Sequence, residues 1–180
     1  MRNRLRHTAL PVCLGLTLTC NDGLQPLAAP TACPRDLVGI CGTVTFRGAV
    51  PESTDAVFIV AYPQFPRSRN DLFSFQPALP LQPLPLAGPP GPPPSTFYTV
   101  TLPNGRYEWV LAVWKKLGTI TVANADSLLR EAGSYRDRAD TTRFGVVVVN
   151  GTGTDSINIV VDFRNMHPVS FYFPTPTPRP

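Results

Sequence analysis

The feature that most constrains the fold is a dense run of prolines in the middle of the chain. Residues 63–95 hold 11 of the 22 prolines in this 180-residue sequence. Because each proline lacks a backbone N–H and fixes φ, no strand or helix is expected to run through this segment. Any sheet must therefore be built from the residues on either side, with residues 63–95 as a long insertion, partly of polyproline II character.

The residues before the insertion have the two-residue period of β-strands. Val44 and Phe46 alternate with polar side chains, which predicts a strand with one apolar face. Residues 55–62 are apolar at successive positions. This pattern predicts a central strand that is covered on both faces.

Alternating segments return after the insertion and flank two Asn-Gly pairs. Asn-Gly favours the tight turn of a β-hairpin, so each pair predicts a hairpin between its two flanking strands. The first hairpin comprises residues 96–102, Asn104-Gly105 and residues 107–113, and the second comprises residues 144–149, Asn150-Gly151 and residues 157–163.

The remaining elements complete an all-β fold class. The one helical candidate spans residues 126–132, and a last strand is predicted over residues 169–173. Seven or eight strands with regular turns indicate an antiparallel β-sandwich with one short helix. The expected organisation is an export signal at 1–20, a tether at 21–39, the sandwich domain at 40–173 and a Pro-rich tail at 174–180.

The N-terminus has the parts of an export signal. Three basic residues, Arg2, Arg4 and Arg6, come first. The apolar run that follows, residues 8–19, would form about 18 Å of helix, too short for a hydrocarbon core of about 30 Å. Cys20 closes this run, as in bacterial lipoproteins, where that cysteine becomes the lipidated first residue. We therefore expect a lipid anchor at Cys20 on the periplasmic or cell-surface side of a bacterial membrane. Cleavage further on and an uncleaved N-terminus are the alternatives.

The net charge does not indicate a nucleic-acid partner. The formal charge is +4, but three of the sixteen basic residues lie in the signal. Without the first 20 residues, 13 basic and 12 acidic residues remain. A net charge of about +1 leaves no basic field for a phosphate backbone.

The cysteines support export. Cys13 lies in the signal and Cys20 is the expected anchor, which leaves Cys33 and Cys41 as an even pair. Outside the cytoplasm this pair predicts a small-loop disulfide, with two reduced thiols as the alternative. Two cysteines without nearby histidines make only half of a zinc site, so we expect no metal and no other cofactor.

Three segments together suggest a family. They are GTVTFRG at residues 42–48, DAVFIVAY at residues 55–62 and LPNGRY at residues 102–107. They resemble prealbumin-like (transthyretin-like) modules, which include carboxypeptidase regulatory-like domains and the B repeats of bacterial collagen adhesins. The resemblance covers roughly residues 40–163. It implies a non-catalytic accessory or adhesive module and carries over no catalytic residues.

The histidines give no support to catalysis. The chain has two histidines, of which His7 belongs to the signal. His167 stands alone before a proline, where we expect a surface turn residue. Because acid–base and nucleophilic catalysis usually need a histidine beside the nucleophile, the sequence predicts no Ser-His-Asp or Cys-His site and no enzyme.

The acidic residues also favour a structural interpretation. Asp137 and Asp140 lie in the densest polar segment, but their spacing lacks the alternating Asp, Asn and Gly of a known calcium loop. A solvated loop is therefore expected there, with calcium binding as the alternative. The acidic residues expected at turns or on solvent-facing strand positions are Asp55, Glu108, Asp155 and Asp162.

Partner binding is expected in the insertion, since a loop longer than about 12–15 residues is usually functional or disordered. The alternative is a surface loop folded onto its own sheet, and the first part of the insertion, with three phenylalanines, is expected to pack on the body. Trp114 is expected on the strand face opposite Trp109. There it either packs under the helix or joins an exposed aromatic and basic patch. The candidate partner-binding residues are Phe65, Phe73, Phe75, Pro85, Pro89, Pro90, Pro92 and Trp114.

The leading hypothesis is a membrane-extrinsic structural or interaction subunit of a larger membrane assembly. The alternatives are a carbohydrate- or peptide-binding module and a hydrolase with a carboxylate site. A large exposed apolar patch on the insertion would favour the first. A concave cleft lined by Trp114 and tyrosines would favour the second, and a pocket with two close carboxylates the third.

Overall fold

The chain forms ten strands and two four-residue α-helices in the computed structural model, which describes residues 32–86 and 95–174. A 3-10 helix lies at Arg69–Phe73. The strands are β1 Gly39–Arg47, β2 Thr54–Tyr62, β3 Ser95–Thr101, β4 Gly105–Tyr107, β5 Trp109–Lys116, β6 Leu129–Ser134, β7 Val147–Val149, β8 Gly153–Thr154, β9 Ile159–Asp162 and β10 His167–Pro168, and the α-helices are α1 Ala125–Leu128 and α2 Val169–Tyr172.

These strands make two four-stranded sheets and one two-stranded sheet. In the first sheet β1 pairs antiparallel with β3 on one side and parallel with β8 and β9 on the other. The second sheet has the order β10-β6-β5-β2 with antiparallel neighbours, and β4 pairs with β7. The expected all-β class is confirmed, but the sheets are not purely antiparallel, because β8 and β9 return beside β1 in the same direction.

The two large sheets share one hydrophobic core. Val44 of β1 and Ile159 of β9 contribute to the same buried cluster as Val57 of β2 and Val110 of β5. We call this cluster the main core. The apolar alternation in each strand therefore has a direct cause, since one face of each sheet lies against the other sheet. No helix within residues 32–86 and 95–174 has the length and apolar composition needed to cross a membrane.

Trp109 and Trp114 lie on opposite faces of β5, as expected from their spacing. Trp114, and not Trp109, is on the face toward the main core. Trp114 belongs to the main core, is only 5% exposed and donates its indole N–H to Thr54 Oγ1 at 2.7 Å. The expectation of Trp114 in an exposed patch is therefore wrong. Trp109 lies on the outer face of the second sheet, in a separate cluster.

Neither Asn-Gly pair joins the strands that were expected to be partners. The residues after β3 cross to the second sheet, where β5 pairs with β2 and β6. The β7 strand pairs with β4, whereas β9 pairs with β1. The two turns instead meet each other, because Gly151 donates its N–H to Asn104 Oδ1 at 2.7 Å. Both hairpin predictions are wrong, although the chain bends at both Asn-Gly pairs.

Two element assignments also change. The helix expected over residues 126–132 stops at Leu128, and the chain continues as strand β6. Tertiary pairing explains the change, because β6 bonds to β5 on one side and to β10 on the other. The strand expected over residues 169–173 is wrong, since α2 occupies Val169–Tyr172.

The described part of the insertion covers the free edge of β2. Gln76 and Ala61 exchange two backbone hydrogen bonds of 2.8 Å, and Leu84 donates its N–H to Val57 O at 2.8 Å. Leu84 itself is 8% exposed and packs in the main core. An uncovered strand edge invites pairing with another chain, so this segment protects the sheet.

The Cys33–Cys41 disulfide is present and closes a short loop before and within β1. The two Cα atoms lie 5.6 Å apart, and Cys41 is 1% exposed. The lipid anchor expected at Cys20, the tail from residue 175 and the prolines Pro89, Pro90 and Pro92 lie outside the described residues.

The disulfide should stabilise the fold. Closing a loop with a sequence separation of 8 limits the unfolded chain, so Cys33→Ser is expected to lower the free energy of unfolding by about 2–3 kcal/mol. Urea denaturation measures this change. Reductant should destabilise the wild-type protein to the same level and leave Cys33→Ser unchanged. Equal stability of the oxidised wild type and the variant would show that the bond contributes nothing.

Candidate functional site

An apolar cleft of about 510 Å³ lies on the outer face of the second sheet. Its walls come from the insertion, at Leu72–Leu81, and from the segment that contains α2. A volume in this range is typical of ligand-binding clefts. The floor is formed by cross-strand neighbours of β2 and β5, which are Phe58 and Val113, Val60 and Leu111, and Tyr62 and Trp109.

Contacts between aromatic rings hold the walls against the floor. The Phe65 ring lies 4.7 Å from the Trp109 ring, and Tyr172 lies 5.1 Å from it. Phe75 meets Tyr62 edge-on at 6.2 Å. Phe65 and Phe75, two of the candidate partner-binding residues, thus pack on the body of the protein, and Phe75 also lines the cleft. Phe73 is 43% exposed at the cleft rim.

Hydrogen bonds fasten the same walls. Tyr62 donates its hydroxyl to Leu72 O at 2.6 Å, which ties the 3-10 helix to the floor. Ser170 donates its backbone N–H to Asp126 Oδ1 at 2.6 Å, which ties α2 to α1. Burial alone would raise the pKa of Asp126, but the Ser170 hydrogen bonds and the nearby Arg69 and Arg130 lower it below its usual value. The carboxylate therefore stays charged and keeps its hold on α2.

A buried carboxylate stands at one end of the cleft. Glu131 is 7% exposed and accepts hydrogen bonds from three side chains. Ser134 Oγ donates to Oε1 at 2.5 Å, and Tyr172 OH donates to Oε2 at 3.1 Å. His167 Nδ1 lies 2.7 Å from Oε2. Trp109 extends the network by donating its indole N–H to Ser134 Oγ at 3.2 Å.

A bulge in β6 explains how two polar side chains reach the same face. Gly133 pairs with Ala112, but Glu131 pairs with Val113, so Ala132 is an extra residue in the strand. Such a bulge re-aims side chains and places Glu131 and Ser134 together on the outer face. His167 lies directly opposite Glu131 in the β10–β6 pairing.

The hydroxyl of Tyr172 is fixed as a donor in this network. Burial, the charge of Glu131 and the hydrogen bond between them raise the pKa of Tyr172, and the more distant Arg136 lowers it only partly. The phenol therefore stays protonated well beyond neutral pH. Its proton is directed at the Glu131 carboxylate.

His167 is not the surface turn residue that its sequence context predicts. Besides its contact with Glu131, its ring stacks on Phe171 with a centroid distance of 4.3 Å, and 27% of its side chain is exposed. Glu131 and His167 are separated by 36 positions in the sequence, and no local signal connects the two. Two adjacent charged residues, Arg130 and Glu131, between apolar neighbours were the available signal.

No protein-family model, curated protein or solved structure matches this chain. The function of the protein is therefore inferred from the cleft and its contacts.

The other candidate residues lie away from the cleft. Pro85 is exposed and lines a separate depression beside Tyr98 and Val100. Glu108 pairs with Arg106 at 3.6 Å, and Asp162 pairs with Arg164 at 3.0 Å. Asp55 forms an ion pair with Lys115, Asp140 accepts from Thr142, and Asp137 accepts from backbone N–H groups of its own loop. Among the described residues, no group of three His, Cys, Asp or Glu side chains is placed to hold a metal ion.

Proposed function

We propose that the protein is a non-catalytic, extracytoplasmic interaction module that is attached to a membrane through Cys20 and binds an apolar segment of a partner protein. The cleft on the second sheet receives this segment. The partner belongs to a larger membrane assembly, in line with the expected export and anchoring. The apolar floor continued by an exposed apolar rim is the single observation that carries the proposal.

The rim distinguishes a protein partner from a small enclosed ligand. Phe73 is 43% exposed and Leu79 is 74% exposed, and both belong to the insertion. Apolar side chains that continue from a cleft onto the surface are typical of protein-protein interaction sites. A ligand that was wholly enclosed by the cleft would leave these side chains without a role.

The cleft is poorly suited to a sugar. Carbohydrate recognition needs several free polar groups, whereas the floor and walls of this cleft are apolar. Lys115 is paired with Asp55, and Glu131 already accepts from three donors. A hydrolase is supported still less, because Glu131 is the one carboxylate in the described lining.

The resemblance to prealbumin-like modules fits this proposal. That family resemblance implies an accessory or adhesive β-sandwich without catalytic residues. Two sheets that share one core support such an architecture. In this chain the insertion and α2 add walls to an outer sheet face, and the added walls create the cleft.

Leu79→Ser should weaken partner binding without affecting folding. The substitution removes exposed apolar area at the rim, so we expect the melting temperature to stay nearly unchanged and the retained partner to fall about tenfold. Gentle extraction of the membrane, affinity purification and quantitative mass spectrometry measure retention. Leu117→Ser is the matched control, because Leu117 is 60% exposed and does not line the cleft.

The two variants separate the alternatives. The proposal requires that the same protein is lost with Leu79→Ser and kept with Leu117→Ser. Cross-linking from position 73 should then recover a partner peptide that contains apolar side chains. Equal partner recovery with both variants would contradict the proposal, as would a cross-linked peptide composed mainly of charged residues.

A further inference from the structure

His167 lines the polar end of the cleft beside Glu131. The Glu131 carboxylate can only accept hydrogen bonds, so the hydrogen in the 2.7 Å contact belongs to His167 Nδ1. When the imidazole is neutral, this hydrogen on Nδ1 leaves a lone pair on Nε2. Glu131 thereby determines which nitrogen of His167 is left to accept.

The Nε2 atom is both fixed and unused. The His167 ring stacks on Phe171 at 4.3 Å and meets the edge of Tyr172 at 6.2 Å, so its orientation is set on both sides. Within residues 32–86 and 95–174, the partners of the ring are Glu131, Phe171 and Tyr172, and none of them contacts Nε2 through a hydrogen bond. A pre-oriented acceptor loses little entropy when a ligand binds.

The other polar groups of the described cleft lining are already engaged. Glu131 accepts from three donors, and Lys115 pairs with Asp55. Arg130 donates to the backbone oxygens of Asp126 and Leu129. These charged groups therefore already have partners, whereas His167 Nε2 makes no hydrogen bond within the described residues.

We infer that the cleft binds an aromatic side chain ending in an N–H or O–H group, which donates to His167 Nε2. This inference rests on the proposed function and names the part of the partner segment that is recognised. The aromatic rings of Trp109, Tyr172 and Phe75 suit a flat aromatic body, and His167 suits its polar end. Tryptophan and tyrosine are the side chains with this combination.

Indole and 1-methylindole provide a matched pair of probes. They have nearly the same shape, but only indole has an N–H donor. Each is titrated into the purified full-length protein in lipid nanodiscs, with empty nanodiscs as background. The NMR signal of the Trp109 indole N–H reports binding in the cleft, and that of Trp114, the other of the two tryptophans, is the internal reference in the main core.

We expect indole to bind about threefold to tenfold more tightly than 1-methylindole, which is the effect of one hydrogen bond. The added methyl group would otherwise favour 1-methylindole. His167→Asn keeps an N–H near the position of Nδ1 for Glu131 but lacks the Nε2 acceptor, so the preference should disappear. His167→Gln places an amide oxygen near the Nε2 position and should retain part of it.

The outcomes separate this inference from the proposed function. Equal affinities in the wild-type protein, with a shift of the Trp109 signal, would overturn the role of His167 and leave an apolar binding cleft. If His167→Asn still binds indole more tightly than 1-methylindole, the preference is steric, and this result would also overturn the role of His167. If neither probe shifts the Trp109 signal, the cleft does not take aromatic side chains and this inference is overturned, whereas the proposed function is tested separately by partner loss in Leu79→Ser. Because the wild-type comparison needs no variant, a misfolded variant does not obscure the result.

Discussion

Leu84→Ala is expected to lower the free energy of unfolding by about 3 kcal/mol, although the residue lies in a proline-rich insertion. The side chain is 8% exposed and belongs to the main core, and its backbone N–H bonds to Val57 O. Truncation would remove buried apolar area and leave a cavity beside β2. Urea denaturation of the purified protein measures the change.

Leu79→Ala is the matched control on the same segment. Leu79 is 74% exposed, so its truncation should change the free energy of unfolding by less than about 0.5 kcal/mol. Similar small effects of both substitutions would show that the insertion does not pack as the structure has it. If Leu84→Ala has a large effect and Leu79→Ala does not, the insertion contributes directly to the core. Replacing the whole insertion with a flexible linker would then destroy the fold and the binding site together.

The insertion thus has two roles that sequence reasoning could not separate. Its proline density excludes a continuous strand, and the segment indeed contains only a 3-10 helix and isolated bridges to β2 within its described part. The burial of Leu84 depends on its contact with β2, which ends more than 20 residues earlier in the sequence. No local pattern of prolines and apolar residues encodes such a contact.

Strand positions were predictable where the period was strong. The alternation around Val44 and the apolar run of residues 55–62 predicted β1 and β2. The limits of β2 are nearly correct, whereas β1 begins earlier than the alternation, at Gly39, the last residue of the expected tether. Alternation reports which face of a strand is buried, and burial is a local consequence of the core. It does not report which strand lies next to which.

The two wrong hairpin predictions show that local sequence chemistry does not determine which strands pair. Asn-Gly favours a tight turn, and the chain does bend at Asn104 and Gly151. The strands after each turn pair elsewhere, because β9 is a parallel neighbour of β1 and β5 joins β2. Long-range pairing is decided by how the sheets bury their apolar faces, and a two-residue turn carries little of that free energy.

The candidate site could not be predicted from the sequence, because it too depends on long-range pairing of strands. Glu131 was placed in a helix, and a bulge in β6 instead directs it onto the outer sheet face. His167 reaches it through the pairing of β10 with β6. The two residues form a pair only after both irregular elements are in place, so their separate sequence contexts suggested a helix and a surface turn.

Glu131→Ala is expected to cause one of the largest losses of stability of any single substitution, about 4 kcal/mol. The carboxylate is the common acceptor for Ser134, His167 and Tyr172. Its removal leaves three side-chain donors in a largely buried region without their partner. Each donor left unsatisfied costs about 1–3 kcal/mol, although shared relaxation makes the total smaller than the sum.

Two further variants show whether the network, and not the loss of a carboxylate as such, is responsible. Glu108→Ala removes a carboxylate that is 40% exposed and pairs with Arg106, so its effect should stay within about 0.5 kcal/mol. Glu131→Gln keeps one oxygen acceptor and the side-chain shape, so it should fall between the two alanine variants. Urea denaturation gives the three free energies, and the Trp109 indole N–H signal should shift in both Glu131 variants, because Trp109 bonds to the network through Ser134. If Glu131→Ala is as mild as Glu108→Ala, the carboxylate is not the centre of this end of the cleft, and the fixed orientation of His167 needs another cause.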